Sequence, residues 1–158
     1  MALWGGRFAQ EPTDSVFALS RSVHFDWRLA PYDLRSSLAH LAILKKSGLI
    51  AAKEADAIQA ALKELSTQVA DGSFAPIDND EDVHSALERG LTEKLGLVGG
   101  ALRAGRSRND QVTTDLRLFS IDHMLEIAAL ITDLQSAILE KAVEYVSDPA
   151  PGFTHIQH

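Results

Sequence analysis

A chain of 158 residues suits about one domain, and 46% hydrophobic residues are enough to build a packed core rather than a disordered segment. The formal net charge of −7 argues against a general nucleic-acid or anionic-membrane surface, and no apolar run approaches the length of a membrane span. With no cysteine, disulfides and thiolate metal sites are excluded, and the default expectation is a soluble cytoplasmic protein.

The chain opens with Leu3-Trp4-Gly5-Gly6-Arg7-Phe8, which reads as an extended arm whose aromatics pack on a larger body. A helical pattern begins at Pro31, carries Leu34, Leu38, Leu41 and Ala42 on one face, and stops at Gly48. The spacing of Ile58, Ala61, Leu62, Leu65 and Val69 predicts a second helix from about Ala51 to Ala70, closed by Gly72. Asn79-Asp80-Glu81-Asp82 supplies a cap and three acids in the first turn of a third helix. That helix continues through Val83, Leu87, Leu91 and Leu95 and is broken by Gly96, Gly99 and Gly100.

From Asp110 to Asp148 there is neither Gly nor Pro. Val112, Leu116, Phe119, Ile127, Ile131, Leu134 and Ile138 form a heptad-like stripe along this run, widened by Leu118, Leu125 and Leu130. A single helix over the run would span about 58 Å, too long for one small domain, so it needs neighbours along its length. The only strand-like candidates are the N-terminal arm and Phe153 to Gln157. The expected fold is all-α: an N-terminal helical domain over 1–104, then from 105 to 158 the first long helix of a central multi-helix bundle.

The most informative stretch is Gly105-Arg106-Ser107-Arg108-Asn109-Asp110-Gln111, which feeds the long helix. Helix N-termini present unpaired N–H groups and partial positive charge, and Arg adds planar, paired donors matched to carboxylates. The stretch therefore reads as a carboxylate site, with Arg103, Arg106 and Arg108 focusing charge. The plain alternative is that Ser107 and Asp110 form a capping box and the arginines are solvated. His84 and Glu88 share a helix face at i, i+4, a spacing that suits proton transfer but more often marks a surface pair; as metal ligands they lack a convincing third. Near the end, Pro151-Gly152 turns the chain before Thr154, His155 and Gln157 cluster a hydroxyl, an imidazole and an amide. His24, His40 and His123 have no motif around them and read as structural or surface residues, and the chain has no phosphate loop and no nucleophile elbow.

Taken in order, the opening arm, Glu81-Asp82-Val83-His84, Gly105 through Gln111, and Pro151 through Gln157 resemble the argininosuccinate lyases of the fumarase/aspartase superfamily. The resemblance implies an all-α homotetramer and reversible elimination of fumarate from argininosuccinate to give arginine, with no metal or organic cofactor. By that resemblance Ser107, Arg108, Asn109 and Thr154 bind substrate, His84 lies near the site, and His155 takes part in proton transfer. Lyases of this kind also carry a mobile Ser-Ser-x-x-Met-Pro loop, which this chain lacks, and run to about three times its length. The expectation is an N-terminal piece of the enzyme, inactive alone. A non-catalytic helical module of the crystallin type is the alternative. Leu38 stands where some relatives have a Lys at a peripheral substrate contact.

Overall fold

The computed structural model describes residues 13–157, so the Leu3–Phe8 arm lies outside the described residues. Helices α1 (Asp14–Ser20) and α2 (Val23–Asp26) and a 3-10 turn (Trp27–Leu29) lead into α3 (Ala30–Lys46), α4 (Ala52–Asp71) and α5 (Val83–Leu95). A short α6 (Leu97–Gly100) and a second 3-10 turn (Ala101–Arg103) precede α7 (Arg108–Glu144). No strand occurs among the described residues, and the fold is all-α. The chain forms two compact units, one running to Phe119 and the other starting at Ser120.

The core of the first unit is the apolar face of α3, α4 and α5. Leu34, Leu41 and Leu44 meet Ile58, Leu62 and Leu65, and Leu87 and Leu91 close the third side. Each large aliphatic side chain so buried stabilises the unit by about 1.5–3 kcal/mol. The helix ends follow local chemistry. Pro31 sits in the first turn of α3, where a missing N–H costs nothing, and Lys45 and Lys46 lie in its last turn, favourable to the dipole. Gly72 ends α4 at φ 78°, a conformation that only Gly adopts freely.

Two details depart from the sequence reading. Of the four residues read as the start of α5, Asp82 is the cap: its Oδ1 accepts the Ser85 N–H at 2.6 Å while Ser85 Oγ accepts the Asp82 N–H at 3.0 Å, and Asp26 Oδ1 takes the Val83 N–H at 3.0 Å. Asp80 is not in the first turn. It is buried and receives Arg89 Nε at 3.0 Å and Nη2 at 2.9 Å in a two-pronged pair, which pins the loop before α5. Gly96 does end α5, but Gly99 and Gly100 lie within α6 instead of breaking a helix. Gly99 is there for closeness: a Cβ would come within 2.7 Å of the Leu91 carbonyl oxygen, so α6 folds back hard against α5.

Helix α7 has 37 residues, about 55 Å at the standard rise. In the first unit its opening turns bury Asp115, and Phe119 meets Tyr32 edge-on at 5.7 Å. In the second unit Ile127, Leu130, Ile131, Leu134 and Ile138 are all exposed. Phe153 to Gln157 is not a strand. Thr154 and Gln157 exchange two backbone bonds of 3.0 and 2.9 Å around His155 and Ile156, whose φ values are 50° and 63°.

Candidate active site

The polar centre of the first unit lies where α3, α5 and the start of α7 converge. Asp33 and Ser36/Ser37 of α3 stand at i, i+3, i+4, so they share one face with the apolar Leu34 and Leu41. Asp33 is 2% exposed and His84 4%. Asp33 Oδ1 accepts the Ser37 hydroxyl at 2.8 Å, and its Oδ2 takes Gln111 Nε2 at 2.7 Å together with the His84 Nδ1 hydrogen. Arg106 stands behind this group, donating to Ser37 Oγ at 2.9 Å and Ser36 Oγ at 2.8 Å. Ser36 in turn donates to Asp115 Oδ1 at 2.7 Å.

Burial pushes the Asp33 carboxyl up, but the His84 hydrogen bond and charge, the Ser37 hydroxyl and the Arg106 guanidinium outweigh it and hold the pKa below the usual carboxylate range. Asp115 goes the other way. It is 0% exposed, its Oδ2 has no hydrogen-bond partner, and His84 Nδ1 is 3.8 Å away. Burial pushes Asp115 up to about 6; the Ser36 hydrogen bond pulls it down, and the neighbouring Asp33 charge adds to the rise.

A stability prediction follows with opposite signs for the two acids. Asp115 holds its proton more tightly folded than unfolded, so its contribution is present below pH about 4 and lost as pH rises through about 6, a loss of roughly 3 kcal/mol. Asp33, with a lowered folded pKa, contributes above its unfolded value and loses that as pH falls. Asp115→Asn removes the loss at the upper side only. Urea midpoints at about pH 5 and pH 7.5 check this: the gap between the variant and the parent protein should close or reverse in favour of Asn at the higher pH, and parallel slopes would refute it.

Asp33, His84 and Asp115 also place three potential metal-ligand atoms within 4.8 Å of one another. The sequence reading offered only Glu88 as a companion for His84; the fold supplies two other carboxylates. Yet Nδ1 and Oδ2 touch directly through a hydrogen, and Arg106 already brings positive charge through the serines. Donors, not a cation, satisfy the Asp33 carboxylate.

The remaining site candidates divide. Arg108 and His84 line one open pocket of about 570 Å³, mouth included, with Asp33, Gln111 and Arg103 on its polar side and Leu62, Leu87 and Leu91 on its apolar side. Arg108 donates to Gln111 Oε1 at 3.2 Å and lies 3.8 Å from Asp82. Ser107 and Asn109 are exposed at the start of α7, where Ser107 Oγ accepts the Asn109 N–H at 3.2 Å, two residues on and not the three of a capping box. Of the three arginines, Arg106 is committed to the buried serines and Arg103 to Glu88 at 3.1 Å. Glu88 is therefore not the partner of His84, and His84 is no surface residue. Thr154 and His155 belong to the second unit and are exposed in its tight turn. Sequence reasoning missed Asp33, Ser36, Ser37 and Asp115, and it gave Gln111 no role of its own within the motif. Their signal was register: Asp33, Ser36 and Ser37 sit on the apolar face of α3, and Asp115 interrupts the Val112, Leu116, Phe119 stripe.

The family described as lyase matches residues 6–158. The chain is 58% identical over its whole length to the argininosuccinate lyase of Frankia casuarinae, of which it covers 34%. It is 54% identical to that of Acidothermus cellulolyticus over 99% of the chain and 32% of the relative, and 53% identical to that of Streptomyces griseus over 99% and 33%. The chain thus spans about a third of the length of the curated relatives it matches. A family match running through the arginine-bearing turn, the buried acid cluster and the final His155 segment means that the chain belongs to the lyase family.

Proposed function

We propose that this chain supplies the start of a carboxylate-binding active site to an argininosuccinate lyase. The observation that carries the reading is identity of 50–58% to enzymes of that name over 99–100% of the chain. The chemistry agrees with the residues. Elimination removes a proton from the carbon next to a carboxylate, and the C–N electrons leave with the nitrogen, giving fumarate and arginine. Charge builds on that carboxylate as the proton departs. Arg108, Asn109, Ser107 and the N-terminus of α7 are the donors suited to it, and Thr154 is a further binding group. His155 is the proton-transfer group, its imidazole being a side chain of the class suited to general acid–base work. No step needs a cofactor.

The working form on this reading is a cytoplasmic homotetramer. No helix among the described residues is long and apolar enough to cross a membrane, and the exposed apolar stripe of α7 supports burial against further helices. A chimera tests the activity. This chain replaces the matching third of the Frankia casuarinae relative, and fumarate formation from argininosuccinate is followed by absorbance. The chimera should turn over and the isolated chain should not. A chimera that folds and assembles like its parent yet makes no fumarate would overturn the proposal.

A further inference from the structure

We propose that Asp33 is a positioning residue for the anion site: its carboxylate sets the tautomer of His84 and, through Gln111, the aim of Arg108. The inference deepens the lyase reading and rests on it for its kinetic arm.

One buried carboxylate ties three helices together. Ser37 reaches it from α3 itself, His84 from α5 and Gln111 from α7. The polarity of each contact is forced. An ionised carboxylate only accepts, so His84 must carry its hydrogen on Nδ1. In the neutral form of the ring Nε2 then bears the lone pair, and in either form it is the ring atom left for a ligand in the pocket that His84 lines. Gln111 is a relay with a fixed sense. Its amide nitrogen donates to Asp33 at 2.7 Å, so its oxygen must face away, and there it accepts Arg108 Nη1 at 3.2 Å. A guanidinium only donates, so Arg108 fits that end and no other. The other close group on Arg108 is Asp82, at a loose 3.8 Å. Gln111 is thus its hydrogen-bonded guide.

The charge that does this is held in place from behind. Arg106 reaches the Asp33 carboxylate through the Ser37 hydroxyl and Asp115 through Ser36, so its guanidinium is tied to the serines where it lines the pocket. With Ser37, Gln111 and His84 donating, Asp33 stays ionised at neutral pH. An Asn at this position offers one amide oxygen and one N–H₂ group. The N–H₂ must confront the Ser37 hydroxyl or the pair of donors from His84 and Gln111, and at least one alignment is lost.

Two measurements test the proposal, one of them free of catalysis. In the 158-residue chain, ring ¹⁵N NMR of His84 should show the Nδ1–H tautomer, and Asp33→Asn should give a mixture with the Nε2–H form. In the chimera, Asp33→Asn should lower kcat/KM about 10–100-fold, the scale seen when a group that orients another is lost. Gln111→Met should raise KM about tenfold through Arg108 and leave the His84 tautomer untouched. An Nε2–H tautomer in the parent chain, or an Asp33→Asn variant with parental tautomer and kinetics, would overturn the assignment. Should Asp33→Asn fail to fold, the parental tautomer and the Gln111→Met KM decide. An inactive parent chimera would count against the lyase reading alone, with the NMR arms still deciding for or against Asp33.

Discussion

In an enzyme that carries this chain, His155→Asn should lower kcat by roughly 10²–10⁴, the usual scale for one acid–base group, with a much smaller change in KM. The local structure makes this a clean substitution. His155 is exposed and sits at φ 50°, a left-handed conformation that Asn tolerates better than most residues. The turn should therefore keep or slightly improve its stability, and a lost rate cannot be charged to unfolding. If His155 only held Thr154 in place, the variant would bind more weakly and keep kcat. Measuring kcat, KM and Tm on one preparation separates the accounts. A normal kcat beside a raised KM would remove the proton-transfer role.

Arg108→Lys should cost about 10²–10³ in kcat, as expected when one well-placed donor to developing charge is lost, whereas Arg103→Lys should change it no more than a few-fold. Both side chains line the same pocket, so the contrast is specific. Arg103 is 61% exposed and makes a surface pair with Glu88, which a Lys reproduces well enough. Arg108 is half as exposed, and its guanidinium is oriented by the Gln111 oxygen. A point charge on a flexible stem cannot keep that plane and its paired donors. Equal losses in the two variants would show that the pocket needs positive charge and not the particular geometry of Arg108.

Helix spans were legible because apolar spacing and punctuation agree over α3, α4 and the start of α7. The span read as Ala51 to Ala70 is Ala52–Asp71, and Gly72 closes it as the pattern requires. What was not legible is the buried polar layer. Periodicity treats an acid or serine as a solvent marker, so Asp33, Ser36 and Asp115 read as gaps in an apolar face when they are its centre. Long-range partners were invisible for the same reason. Nothing in i, i+4 spacing tells His84 to prefer Asp33, 51 positions away, over Glu88. The arginine-bearing turn was found as a unit, yet only the fold shows that Arg106 is bonded to the buried serines while Arg108 is bonded to Gln111. The last turn was misread because its central residues, His and Ile, lack the Asn-Gly signature of such turns.

That same turn is a latch set close to its tipping point. A β-branched Ile156 at φ 63° and a His155 at φ 50° each raise the free energy of the closed form by about 1–3 kcal/mol. Against this stand the two backbone bonds between Thr154 and Gln157, worth about 1 kcal/mol each. The strain at the two residues is at least as large as what the two bonds return, so the turn has no large margin of its own. The segment bearing Thr154 and His155 is therefore expected to respond to a modest contact from a surface or ligand that meets it.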